Sequence, residues 1–452
     1  MRFTRCKEQN MFFRLSIILI CLLNILACRK ANELDTSPNA KLSFSQDTIF
    51  FDTIFSSVGS ITQRLIVYNP NKNKVQVSQI QLAGGANSPY SVIINGMPSS
   101  SVSNMDILGN DSIYILIKVL IDSTKQDLPF LVSDSLLFLT NTNQQKVLLE
   151  SYGQNAHFYK KQSIPSNTIW TNDKPYVLYD TLTVPTGISL TIQEGCKIYG
   201  HNAAVLNVYG QLIVNGTKVS PVLFASDKTD KSYNTVNGLW GGLYFQTNSL
   251  NNSIQWATIR NAVTAIKMES TPDADTIAEL TLSHVFLLHA SQRMIDANNN
   301  DINGSNLLLS DCPMALLKHQ DGCGVWTYCT FTDYSSGFFR LETDLLLGIA
   351  GTGLKMYALN SILWGDFTDE ISINGGNPYI NVQFSEWKSV QYSSGAKLIN
   401  TDPLFNNTST FDFTLQSSSP AIGLGTTVTA ITDDIIGNTR HTIPDAGAYE
   451  HK

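Results

Sequence analysis

The sequence predicts an all-β chain: a β-sandwich followed by a parallel β-helix, with a removable leader in front. Three observations carry this reading. The first is composition: charged residues are only 15% and hydrophobic ones 43%, and Ser, Thr, Asn and Gly crowd the remainder, which suits a β-rich exported protein. The second is a set of short β-branched or aromatic runs separated by turn clusters between Lys41 and Asn155. The third, beyond His157, is a recurrence of strand-sized apolar pieces whose faces stay exposed until successive coils stack.

The leader comes first in the chain. Arg2, Arg5, Lys7 and Arg14 precede an apolar run from Leu15 to Ala27, followed by Cys28. A basic stretch, an apolar stretch and a small residue at the junction form an export signal, and the run is short of the ~20 apolar residues a spanning helix needs. The ending Ile25-Leu26-Ala27-Cys28 resembles a bacterial lipobox. That resemblance implies Cys28 as the lipidated first residue, a membrane partner through the lipid, and an address in the cell envelope as a surface-exposed outer-membrane lipoprotein. Residues 28–40 are polar, contain Pro38 and lack periodicity, so they are expected to be a flexible tether.

Residues 41–155 carry about seven short strands, among them Leu65–Tyr68, Val75–Leu82, Ser112–Leu120 and Lys146–Tyr152, divided by turns such as Asn69-Pro70-Asn71 and Gly84-Gly85. Asp47–Asp52, Asn69 and Tyr152-Gly153-Gln154 resemble an immunoglobulin-like domain of bacterial surface lipoproteins. Residues 156–400 repeat a different unit. Leu190–Ile192, Lys197–Tyr199, Leu206–Val208 and Leu212–Val214 are punctuated by Gly195, Gly200, Gly210 and Gly216, and later pieces recur at irregular coil-length intervals.

Residues 190–198 (LTIQEGCKI), 210–217 (GQLIVNGT), 221–224 (PVLF), 239–243 (LWGGL) and 360–365 (NSILWG) are similar to coils of right-handed, pectin-lyase-like parallel β-helix proteins. Residues 401–452 resemble the closing segment of that group through 402–405 (DPLF), 419–422 (SPAI) and 444–450 (PDAGAYE), with Gly423 where the family has an acidic residue. The resemblance implies enzymes that cut acidic polysaccharides, by hydrolysis with paired carboxylates or by elimination with a basic residue beside calcium-binding acids. The hydrolase motifs are incomplete here: Asn400-Thr401-Asp402 belongs to the closing phrase, Asp433-Asp434 lies near the end, and neither Gly-His-Gly nor Arg-Ile-Lys follows.

The whole chain carries 30 basic and 37 acidic residues; without residues 1–27 the formal charge is −10, which excludes a phosphate-neutralising nucleic-acid partner. The candidate polar site for an enzyme is Arg340, Glu342 and Asp344, which alternate and would share one face of a strand, with Lys318 and His319 about one coil earlier; the competing reading is a surface ion-pair ladder. No catalytic set is complete. Candidate glycan-stacking rings are Trp326 and Tyr328, placed outward by the alternation of Val325, Cys329 and Phe331, and Trp387; the competing reading is that loops cover them. Trp256, two residues after Ile254, is expected in the core.

No cofactor and no metal are expected, because Cys312, His319, Cys323 and Cys329 lack the close-paired spacing of zinc ligands. The expected function is a lipid-anchored, non-catalytic adhesion or glycan-contacting module. The alternatives are a lyase or hydrolase of acidic polysaccharide, and a structural envelope protein that binds another surface protein.

Overall fold

The computed structural model describes residues 33–55, 59–121, 130–271, 277–334, 339–347 and 353–452; Cys28 and the leader lie outside them. The chain divides into two compact units, Met1–Asn155 and Ala156–Lys452.

Among the described residues the first unit is a two-sheet sandwich of ten strands. One sheet runs Ser43–Phe44, Gln63–Asn69, Asp111–Val119, Tyr90–Ile94, Met97–Pro98; the other runs Thr48–Phe55, Asn143–Gln154, Phe130–Thr140, Val75–Leu82, Ser101–Ile107. Pairing is antiparallel except between Thr48–Phe55 and Asn143–Gln154, which run parallel. Period-two alternation turns Ile113, Ile115, Ile117 and Val119 of one strand inward, where they join Val77, Ile80, Phe138 and Leu149 in a single core. Residues 33–40, expected to be tether, hold to this sandwich instead. Leu34 bridges Lys74, and the amides of Asn141 and Asn143 donate to the carbonyls of Asp35, Ser37, Pro38 and Ala40.

The second unit is a parallel β-helix, with 24 strands among the described residues. Each full coil contributes strands to three long faces, which we call the charged, polar and tail faces. Strands Leu182–Val184, Val205–Val208, Gly242–Phe245 and Thr264–Met268, then residues 293–298 and 317–320, stack on the charged face. The polar face stacks Ser189–Gln193 on Gln211–Asn215 and continues to Lys355–Leu359 and Tyr379–Gln383. The tail face runs from Tyr176–Leu178 through Lys197–Gly200 and Val222–Ser226 to Ile362–Gly365 and Glu386–Trp387.

Inward side chains stack on their own kind from coil to coil. On the tail face Phe224 lies over Ile198, and Leu309, Phe331, Leu363 and Trp387 follow as register partners. On the polar face Trp326 lies between Gly304 and Ala358, two small residues that make room for its indole. A Cβ on Gly304 would fall 2.6 Å from the Trp326 ring.

The corner between the polar and tail faces is a ladder of residues with positive φ: Trp256, His284, Asn306, Tyr328, Asn360 and Phe384. A left-handed residue at the corner restarts the inward-outward alternation on the next face, so parity cannot be carried across it. Residues 401–452 lie along the outside of the tail face, where Phe405, Phe413, Leu415, Ile435, Ala446 and Ala448 pack on Leu308, Ile362 and Trp364. Arg440 ties this tail to the corner ladder: its guanidinium sits 3.8 Å from the Tyr328 ring centre and donates to Asn306 Oδ1 (2.8 Å) and Glu450 Oε2 (3.1 Å). Gly423 has φ +63° and donates its N–H to Asp445, so the glycine serves a left-handed turn.

Candidate functional site

The predicted aromatic platform is not on the surface. Trp326, Tyr328 and Trp387 are all buried. The αL corner at Tyr328 explains the first two: Cys329 and Phe331 do face inward, but on the tail face, whereas Trp326 faces inward on the polar face. Tyr328 lies under the tail and donates its hydroxyl hydrogen to the Thr426 carbonyl (2.9 Å). Trp387 ends the inward stack above Leu363. The same corner geometry lifts Trp256 out of the core it was expected to join, leaving it partly exposed and stacked 3.9 Å from the His284 ring. An outward ring pair on the polar face that the sequence reading did not single out is Tyr357 and Tyr379, neighbours in successive coils with ring centres 5.7 Å apart.

The predicted polar site also separates. Residues 339–344 are not a strand, so Arg340, Glu342 and Asp344 do not share a face. Arg340 turns into the protein and donates to both oxygens of Glu370 (2.8 and 2.7 Å) and to Asp344 (2.7 Å), with all three side chains buried. Burial would lower the Arg340 pKa, but the hydrogen bonds and charges of Glu370 and Asp344 outweigh it and raise it; burial and Glu370 push Asp344 well above the usual carboxylate range. This is an enclosed ion network that holds the 339–344 segment to the helix. Glu342 leaves it and pairs with Arg293 at 2.9 Å.

Of the four, Lys318 and Glu342 keep partly exposed side chains, and Lys318 is the one that stands on the charged face. On the charged face Leu243, Ile266, Ile295 and Leu317 point inward in register, and their neighbours Tyr244, Lys267, Asp296 and Lys318 therefore form one outward row across four successive coils. Coil stacking spaces such neighbours about 4.8 Å apart. Lys318 Nζ lies 3.4 Å from Asp296, Lys267 Nζ lies 2.6 Å from Glu269, and Lys267 sits 5.6 Å from the Tyr244 ring centre. All four charged side chains remain partly exposed. The hydrogen bond to Glu269 raises the Lys267 pKa, keeping the amine protonated, and burial raises that of Tyr244. Two ammonium groups and an aromatic ring in a line can grip carboxylates on a polymer laid along the helix axis.

Among the described residues the sulfur and imidazole groups of Cys312, His319, Cys323 and Cys329 do not converge. Cys196, Cys312, Cys323 and Cys329 are free thiols; His319 points inward with its Nε2 on the Asn300 carbonyl (3.1 Å), while Cys323 is partly exposed on the polar face. Burial pushes the His319 pKa down to about 4 and the Cys329 thiol up to about 12. Among the described residues a metal-sized cluster occurs at His441, Asp445 and Glu450. Its carboxylates are already engaged: Glu450 accepts from Arg440, His441 and the Asp445 N–H, and Asp445 from the Gly423 and His451 N–H groups. These contacts clamp the tail.

Residues 162–279 match the family model described as a pectate-lyase like beta helix domain. No curated protein matches the chain. Among solved structures, similarity was found to a family 123 glycoside hydrolase from Clostridium perfringens (8% identity, 26% of this chain and 30% of that one, TM-score 0.19). It was also found to the PapD-like domain 7 of human CEP192 (12%, 26% and 87%, TM-score 0.18) and to the Vibrio cholerae VesB protease (11%, 25% and 31%, TM-score 0.18). The chain thus spans about a third of the hydrolase and of the protease, and at these TM-scores none of the three bears on function.

Proposed function

We propose that this protein acts on an acidic polysaccharide laid along the charged face of its β-helix. The observation that carries the reading is the row Tyr244, Lys267, Asp296 and Lys318, which begins inside the region matching the pectate-lyase like domain. That match supports a carbohydrate-acting helix, with cleavage by elimination as the first reading. Elimination needs a base beside the sugar carboxylate. Lys267, held protonated by Glu269, suits the carboxylate contact; Lys318, whose pair with Asp296 is the longer one, is the side chain to test as base.

A second reading, retention without cleavage, is favoured by that same protonation of Lys267, since a charged amine grips but does not abstract a proton. In either case the proposal includes export, a right-handed coil, an immunoglobulin-like identity for the sandwich, and a lipid anchor at Cys28 that would place the helix at the cell surface.

The test is to incubate the protein with polygalacturonate, with and without calcium, following retention and new unsaturated ends. Cleavage lost in Lys318→Ala establishes the lyase. Retention without cleavage, weakened about tenfold in Lys267→Ala and falling as salt rises, establishes the binding module. Neither retention nor cleavage sinks the proposal.

A further inference from the structure

The corner between the charged and polar faces holds a groove of about 330 Å³, a size suited to part of an oligosaccharide. It is built by the corners of successive coils. At Gly210 the chain lies so close to the coil before it that a Cβ would fall 2.1 Å from the Ile188 carbonyl oxygen, so that corner is recessed. The next coil takes a longer path over residues 246–251, turning at Asn248 (φ +66°) and Asn251 (φ +55°), and forms the facing wall. Tyr209 stands at the rim with 41% of its surface exposed.

The chemistry of the lining is uniform. None of its eleven residues is Asp, Glu, Lys, Arg or His, and four are amides: Asn167, Gln211, Asn248 and Asn251. Two amide groups are committed within the protein, since Asn167 Oδ1 accepts from the Ser189 N–H (2.9 Å) and Gln211 Nε2 donates to the Asn251 carbonyl (2.7 Å). Among the described residues the opposite ends of those two amides, and both ends of the Asn248 and Asn251 side chains, remain for a ligand. Amides that both donate and accept, with one exposed ring face and no charge, match sugar hydroxyls and an apolar pyranose face.

We infer that this corner groove is a second carbohydrate site, selective for an uncharged oligosaccharide, with Tyr209 as stacking platform and Asn248 and Asn251 as hydroxyl readers. It does not depend on the charged face, whose lysines call for an anionic polymer.

The experiment is calorimetric titration of the full chain with β-linked hexaoses of glucose, mannose, xylose and galactose. At least one should bind with Kd below about 5 mM, and its affinity should be unchanged between about 0.05 and 0.5 M NaCl, because no ion pair forms. Tyr209→Ala should weaken it about tenfold and Tyr209→Phe by less than about threefold, while retention of polygalacturonate stays as it was. No binding by any of the four, an affinity that falls with salt, or equal affinity in Tyr209→Ala would each overturn the inference. If polygalacturonate retention fails while the neutral hexaose binds through Tyr209, only the charged-face proposal is lost.

Discussion

Two clusters in the β-helix each pair basic with acidic side chains and do opposite things. Arg340, Asp344 and Glu370 are enclosed, with every charge facing another. Lys267, Glu269, Asp296 and Lys318 stand on the outside of the charged face in part-exposed pairs. The difference is one of solvent. A buried network cannot release a partner without leaving a charge in low dielectric, whereas an exposed pair exchanges its partner for water or a ligand at little cost. Charge pattern alone therefore marks a cluster, and burial decides whether it is scaffold or site.

The largest expected effect breaks the scaffold. Arg340→Met leaves Asp344 and Glu370 facing each other and should destabilise the fold by roughly 3–5 kcal/mol in denaturant unfolding, while replacing all three by Met or Leu should recover most of that loss. Trp326→Ala, which empties the space beside Gly304 and Ala358, should cost about 3–5 kcal/mol in the same assay. Tyr379→Ala, at the exposed pair on the polar face, should stay within about 0.5 kcal/mol.

A pH series sharpens the contrast between buried and exposed acids. Glu386 lies on the tail face beneath residues 401–452 with neither carboxylate oxygen hydrogen-bonded, and burial, reinforced by Asp402, raises its pKa to about 8. A carboxyl with a raised folded pKa contributes stability below its unfolded value, and that contribution is lost as pH rises through about 8. The melting temperature should thus fall between about pH 5 and 8, and Glu386→Gln should flatten that fall; Asp333, also raised by burial, acts in the same direction. An unchanged slope in Glu386→Gln would show that the carboxyl is not the group titrating. Lys318→Ala should change stability by no more than about 1 kcal/mol in thermal unfolding, although it should remove cleavage or weaken retention of polygalacturonate.

The sequence alone determined the strand-rich composition, the alternation inside each strand and the repetition of coils, because these depend on residue type and short spacing. Lys318 was legible as a candidate for that reason. Its partners were not. Tyr244, Lys267 and Asp296 become neighbours only when coils of unequal length stack in register, and no local pattern states that register. The misplacement of Trp326 and Trp256 has one cause: a left-handed corner restarts the alternation, and Trp, His, Tyr and Phe at such corners lack the glycine or asparagine that would announce it. The tail followed the same logic. Its motif residues were visible one by one, but only the tertiary structure showed that Arg440 ties the segment to Asn306, more than a hundred residues earlier, while Asp445 and Glu450 brace the tail on itself.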